Sequence, residues 1–93
     1  MMRMKLSTPH DMAADTAKRF RDLRKAKAIT SEALSESSGV PYSTIRRFER
    51  TGEVSFLSLV KMASAMGEDR QIEGLFAQTV PASIEEVIRG NRR

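Results

Sequence analysis

Apolar residues recur at helical spacing along most of the chain. In the first such stretch, Ala13, Ala17, Phe20 and Leu23 are three or four positions apart, which is typical of one face of a helix. A second stripe occupies a later stretch and consists of Phe56, Leu59, Val60, Met62, Ala63 and Met66. We expect both stripes to face inward. The pattern predicts an all-α protein.

Capping signals mark where the first two helices begin and end. Thr8-Pro9-His10-Asp11 combines a capping hydroxyl, a proline at the first helical position and a carboxylate three residues after the cap. The first helix is predicted to end near residue 28. The second helix begins after Thr30, its N-cap, and ends near Ser38, because Gly39 supplies a left-handed turn residue.

Three further helices follow. The third covers about residues 42–50, with Ile45 and Phe48 inward, and its arginines 46, 47 and 50 outward. Two short helices joined by a tight turn containing glycine form a helix-turn-helix unit. The fourth helix starts at Ser55 and ends at Gly67. A short fifth helix is predicted to be capped by Asp69, and its inward residues are Ile72, Leu75 and Phe76.

The two ends of the chain differ from this bundle. Residues 1–6 alternate apolar and basic side chains, which is typical of a short strand that would pair with a second subunit. Near the other end, residues 83–86 form a Ser-x-x-Glu capping box, and Ile84, Val87 and Ile88 form an apolar edge too short to be stable alone. This edge docks on the domain, a sister subunit or another protein, or stays disordered. We therefore divide the chain into an arm (1–7), a helix-turn-helix domain (8–78) and a C-terminal extension (79–93).

The composition favours a protein that binds a polyanion and argues against an enzyme or a membrane protein. Ninety-three residues suit one domain, and the formal charge of +4 is concentrated in residues 1–50, with eleven Lys and Arg against six Asp and Glu. A basic half favours a polyanionic partner. No cysteine, long apolar run or secretory signal occurs, so we expect a cytoplasmic protein without disulfides. The single histidine, His10, and the exposed Glu85-Glu86 pair form no catalytic or metal constellation, so we expect no enzyme activity, metal or cofactor.

Residues 20–66 resemble the lambda-repressor-like (Xre) family of helix-turn-helix regulators. The resemblance rests on several blocks in the right order: Phe20-Arg-Asp-Leu-Arg-Lys-Ala, Ile29-Thr30, Leu34, Ser35-x-x-x-Gly39-Val40, Ser43-Thr44-Ile45-x-Arg47-Phe48-Glu49-Arg50 and Leu59-Val60-Lys61-Met62-Ala63-x-x-Met66-Gly67. It implies a five-helix bundle whose third helix enters the major groove of DNA. The spacing departs from the family in the loop around Gly52, which is one residue short.

The resemblance also implies roles for individual residues. The positions that face base edges are Tyr42, Ser43, Arg46 and Arg47. The positions assigned to phosphates are Thr30, Ser31, Thr44 and Arg50. Arg24 and Glu49 match a pair that forms a salt bridge in relatives, and Ser35 takes a small-residue position where helices two and three cross.

Some positions depart from the family pattern. Ser31 stands where Gln is frequent, and Ala33 leaves the usual capping box of helix two incomplete. Pro41 replaces a polar N-cap before the third helix, and Glu53 places an acid in a loop that is often basic. These departures bear on individual contacts and not on the fold.

Three functions agree with these observations. The pattern over residues 40–52 and the late segment around residue 84 are similar to HipB-like regulators, which repress their own operon as homodimers and bind a HipA-like serine/threonine kinase toxin. The first hypothesis is therefore a dimeric autorepressor of a palindromic DNA operator. The second is an antitoxin subunit whose main role is to bind the kinase, and the third is a non-specific nucleic-acid binder.

Overall fold

The computed structural model describes residues 7–78, which form five helices and no strand. These are α1 (Pro9–Ala26), α2 (Ser31–Ser38), α3 (Tyr42–Thr51), α4 (Phe56–Ala65) and α5 (Asp69–Glu73). The all-α fold class is confirmed. The strand predicted for residues 1–6 and the C-terminal extension, including Ile84, Val87 and Ile88, lie outside the described residues.

Side chains cap three of the helices at their N-termini. Thr8 Oγ1 accepts from the Asp11 N–H at 3.0 Å, and Asp11 Oδ2 accepts from the Thr8 N–H at 3.2 Å, so the predicted capping box of α1 is complete. At α2, Thr30 Oγ1 accepts from the Ala33 N–H. The reciprocal hydrogen bond of a capping box is missing, because the Ala33 side chain has no acceptor. Ser55 caps α4 through the Ser58 N–H at 3.0 Å. Each cap satisfies an N–H group that the helix cannot pair itself.

The core is built around α3. Helix α1 packs on α3, α2 packs on both α3 and α4, and α4 packs on α5. The rings of Phe20 and Phe48 meet edge to face with their centroids 5.2 Å apart, which joins α1 to α3. The buried cluster consists of Ala17, Leu34, Val40, Ile45, Phe48, Met62 and Met66. Helix α3 is therefore held between α1 and α2, and packing against these two helices determines its orientation.

The end of the bundle differs from the prediction. Glu68, not Asp69, is the N-cap of α5, and it makes no side-chain cap hydrogen bond. The inward orientation predicted for Leu75 and Phe76 is wrong, because α5 ends at Glu73 and helical spacing no longer applies after it. Phe76 has a φ of 60° and is 92% exposed.

Phe56 also departs from the predicted inward stripe. It is the first residue of α4 and is largely exposed. Instead of entering the core, it lines an open apolar groove together with Met12 and Leu59. No helix within residues 7–78 is both long enough and apolar enough to cross a bilayer.

Candidate nucleic-acid interface

The turn between α2 and α3 has a defined shape. Gly39 adopts a left-handed conformation with φ of 78°, and its N–H donates to the Ser35 carbonyl. Ser35 Oγ donates to the Val40 carbonyl at 2.7 Å, and the Val40 side chain is buried in the core. A hydroxyl on α2 thus binds the backbone two residues before α3 and restrains the turn between the two helices.

Helix α3 has one buried face and one exposed face. Ile45 and Phe48 are buried in the core cluster. The side chains exposed on the remaining surface are Tyr42, Ser43, Arg46, Arg47 and Arg50, and Thr44 is half-buried. The structure therefore brings all four predicted base-contacting residues together on the solvent side of one helix.

The N-terminus of α3 is not capped by a side chain. Pro41 takes the N-cap position and offers only its carbonyl, which accepts from the N–H groups of Thr44 and Ile45. The preceding N–H groups, those of Tyr42 and Ser43, are the ones that a helix start leaves without an internal partner. A helix start of this kind carries partial positive charge and suits an anion such as a phosphate.

Two exposed side chains of α3 contact each other one turn apart. The guanidinium carbon of Arg46 lies 5.8 Å from the centroid of the Tyr42 ring. A cation over an exposed aromatic face contributes about 0.5–1 kcal/mol. This contact, which the sequence interpretation did not include, restricts both side chains, and its only signal in the sequence is the spacing i, i+4.

Arg47 is paired with an acidic residue of the following loop. Its Nη2 donates to Glu53 Oε1, and both side chains are more than half exposed. A concave surface of about 390 Å³ surrounds this pair and is lined by Ser43, Thr44, Arg47, Glu53, Val54, Ser55 and Ser58. The sequence interpretation missed Ser55 and Ser58 at this surface. In the sequence, the polar residues at the start of α4 were the indication for them, because the turn after α3 brings this segment beside α3.

Arg24 and Glu49 form a two-pronged ion pair between α1 and α3. Arg24 Nε lies 2.7 Å from Glu49 Oε2, Nη2 lies 2.8 Å from Oε1, and each side chain is 6% exposed. Arg24 Nη1 also donates to the Ile29 carbonyl at 2.7 Å. The hydrogen bond to the Glu49 carboxylate raises the pKa of Arg24, so the guanidinium stays charged. The expected structural pair is present, and Glu49 is not available to a ligand.

Four other cations surround this buried pair. A concave surface of about 480 Å³ between α1 and α3 is lined by Arg21, Arg24, Lys25, Arg46, Glu49 and Arg50. Because Glu49 is already bound by Arg24, this surface presents a net positive charge from both helices. Within residues 7–78, no group of three or more potential ligands could hold a metal ion.

The start of α2 offers less than the sequence predicted. The side chain of Ser31 is buried, with the residue only 5% exposed, so its hydroxyl does not reach the surface where a phosphate would lie. The reason is that the first residue of α2 points into the bundle. Thr30 is exposed, but its Oγ1 already accepts from Ala33. At this position an anion can therefore bind only to the backbone N–H groups in the first turn of α2.

Comparison with known proteins agrees with this geometry. The profile of the family described as Helix-turn-helix matches residues 20–72, more than half of the chain. That stretch contains α2, the turn at Gly39, α3 and the whole of α4. No curated protein and no solved structure matches the chain.

Proposed function

Because the chain belongs to the helix-turn-helix family of DNA-binding domains, we propose that it is a transcriptional repressor that binds a palindromic DNA operator as a homodimer. Helix α3 enters the major groove, and α2 lies across the sugar-phosphate backbone. Base edges are contacted by Tyr42, Ser43, Arg46 and Arg47.

One observation carries the proposal. The core buries Ile45 and Phe48 and thereby turns Ser43 and Arg47 outward on α3. Packing on α1 and α2 orients this helix, and the Ser35–Val40 hydrogen bond restrains the turn before it. A fixed helix with exposed polar side chains at its start is what a B-form major groove, about 12 Å wide, accommodates. Arginine is the commonest reader of guanine, through its O6 and N7 atoms, and Arg47 is assigned to that contact.

Phosphate contacts hold this helix in register. The N–H groups at the uncapped start of α3, the half-buried Thr44, the first turn of α2 after Thr30 and the exposed Arg50 are assigned to them. For Ser31 the assignment is limited to its backbone N–H, since the hydroxyl is buried. Such contacts supply affinity and orientation without reading sequence.

Exposed apolar surface supports association of two copies. Leu75 and Phe76 lie on the surface just after α5, and Leu75 lines a groove of about 340 Å³ together with residues that include Phe20, Leu59 and Ile72. Contiguous exposed apolar patches mark protein–protein contact sites when they are large. In a symmetric dimer the two copies of α3 would reach half-sites about 34–36 Å apart, or a multiple of that.

The narrower proposal is a HipB-like antitoxin that represses its own operon. It is supported by the sequence resemblance of residues 40–52 and of the segment containing Ile84, Val87 and Ile88. A second role follows from the same resemblance: binding of a HipA-like kinase, with DNA binding secondary. The apolar groove between α1, α4 and α5 favours a protein partner in addition to DNA.

Two experiments separate these roles. A nuclease footprint on the promoter upstream of the gene should show a protected inverted repeat, and absence of any protected repeat contradicts the repressor. Deletion of residues 80–93 should abolish binding of a co-expressed HipA-like kinase while operator binding persists. Unchanged kinase binding would show that residues 80–93 do not contact the kinase.

A further comparison tests for a non-specific nucleic-acid binder. Such a protein would show equal affinity for operator and unrelated DNA at every salt concentration.

A further inference from the structure

The ion pair between Arg47 and Glu53 connects α3 to the loop that follows it. Arg47 Nη2 donates to Glu53 Oε1, and the two side chains are 59% and 54% exposed. An exposed ion pair contributes little to folding stability, because solvent screens it. Its position therefore matters more than its strength: it lies on the surface that faces DNA in the proposed function.

The turn that carries Glu53 is built to return this carboxylate to α3. Thr51 Oγ1 donates to the Arg47 carbonyl at 2.7 Å and accepts from the Glu53 N–H at 3.1 Å. A single hydroxyl thus ties the backbone of Glu53 to the backbone of the arginine that its side chain binds. Between them, Gly52 has φ of 87°, and a Cβ on it would lie 2.7 Å from the Ala13 carbonyl carbon. The backbone of the loop at Gly52 therefore lies directly against α1, which restricts the conformation of the loop.

Arg47 and Glu53 provide all the formal charge of the concave surface around them. The other residues that line it are serines, a threonine and a valine. A phosphate that approaches Arg47 from this side meets a carboxylate at hydrogen-bonding distance from the same guanidinium. The repulsion removes much of the attraction that a free arginine would offer to any DNA backbone.

The ion pair affects contact between Arg47 and a base edge differently from contact between Arg47 and a phosphate. Guanidinium carries five N–H donors, and the pair with Glu53 Oε1 uses one of them. The remaining donors can reach guanine O6 and N7, which are uncharged acceptors that the carboxylate does not strongly repel. Holding one side of the guanidinium also limits its rotamers before DNA arrives, so less side-chain entropy is lost on binding.

We propose that Glu53 is a specificity-determining residue, which positions Arg47 for guanine and disfavours its contact with phosphate. This inference rests on the proposed function, since it concerns how the same surface distinguishes one DNA sequence from another. Glu53 acts through Arg47 and need not touch DNA itself. The acid that departs from the family pattern in this loop thereby gains a role.

Glu53→Gln tests the proposal, because it keeps the shape of the side chain and removes its charge. The matched control is Glu73→Gln, which makes the same change of net charge at an exposed position on α5. Affinities of the full chain are measured for a selected binding site, for the same site with its guanines replaced, and for unrelated duplex, at several salt concentrations. The expected result is a fall of about tenfold in the ratio of specific to non-specific affinity for Glu53→Gln, arising mainly from tighter non-specific binding.

Salt dependence gives a second readout. On unrelated duplex, the slope of log K against log salt should steepen by about 0.9 for Glu53→Gln, because Arg47 then joins the phosphate contacts. A ratio equal to that of Glu73→Gln would overturn the proposal. So would a base preference that differs between Arg47→Ala and the double variant Arg47→Ala/Glu53→Gln, because Glu53 would then act independently of Arg47.

The unaltered chain and Glu53→Gln, measured side by side, test DNA recognition and the role of Glu53 separately. If the unaltered chain binds all duplexes equally, the proposed function falls, and the inference falls with it. If the unaltered chain discriminates and Glu53→Gln discriminates equally well, only the inference is overturned.

Discussion

Arg24 on α1 and Glu49 on α3 share two hydrogen bonds of 2.7 and 2.8 Å across the interface between their helices, with both side chains almost fully buried. Glu49 lies on the helix that carries Arg46, Arg47 and Arg50, and Arg24 holds it from α1. The pair therefore fixes the position of α3 from behind while removing the one acidic side chain of that helix from the surface.

We predict that removing one partner of this pair destabilises the fold severely. Glu49→Ala leaves the Arg24 guanidinium buried without its carboxylate, and breaking a buried pair in this way costs about 3–5 kcal/mol. The free energy of unfolding from urea titration measures the loss, and Glu36→Ala, at an exposed position on α2, is the control. A loss no larger for Glu49→Ala than for Glu36→Ala would show that the pair is not structural.

A second prediction compares two glycines that have similar backbone angles. Gly39→Ala, at φ of 78° with nothing within 4 Å of the new Cβ, should cost only the left-handed backbone strain of about 1 kcal/mol. Gly52→Ala adds a collision 2.7 Å from the Ala13 carbonyl carbon, so we expect a loss of about 2–4 kcal/mol in unfolding free energy. Equal losses for the two variants would mean that α1 does not constrain the loop.

The third prediction concerns acid stability. Hydrogen bonds from Gln71 and from Lys27, whose Nζ lies 3.0 Å from Oε2, lower the pKa of Glu68 below its ordinary value of 4.5. Because the folded pKa is depressed, Glu68 stabilises the fold above pH 4.5, and this contribution is lost as the pH falls through the folded pKa.

The unfolding free energy measured from pH 7 to pH 3 checks this prediction. The difference between the unaltered chain and Glu68→Gln should be constant above about pH 5.5 and should shrink below pH 4.5. A difference that is the same at every pH would contradict the assigned cause.

A fourth prediction separates the two classes of DNA contact on α3. Arg47→Ala should cost about 1–3 kcal/mol of binding free energy and relax base preference at one position of each half-site. Arg50→Ala should weaken binding to all sequences and reduce the salt slope by about 0.9. Fluorescence anisotropy with single-base variants of the site measures both. Identical behaviour of the two variants would mean that Arg47 contacts only phosphate.

Much of the fold was predictable, because local signals and packing agree. The predicted caps at Thr8 and Thr30, the predicted turn at Gly39 and the predicted limits of helix four at Ser55 and Gly67 agree with the ends of α1, α2 and α4 within about two residues. The Arg24–Glu49 pair, in contrast, was expected only from the resemblance, since residues 25 positions apart carry no local signal of contact. The exposure of Leu75 and Phe76 was not predictable, because periodicity does not reveal that α5 stops at Glu73.

The candidate site was predicted less completely than the fold. Helical spacing indicates which residues of α3 are exposed, but not what they contact. Glu53 lies six residues after Arg47, which is no helical interval, and the two meet only because the chain reverses at Gly52. The burial of Ser31 depends on how α2 is rotated against the bundle, which the sequence of α2 alone does not determine.

Selection from a random duplex library tests whether α3 recognises a DNA sequence. The full chain is incubated with the library, bound duplexes are recovered and sequenced, and Arg47→Ala is carried through in parallel. We predict enrichment of an inverted repeat whose half-sites are about one helical turn apart, or a multiple of that, with one guanine position lost for Arg47→Ala. Recovery of unenriched sequences, or an enriched motif that Arg47→Ala leaves unchanged, would contradict sequence recognition by α3.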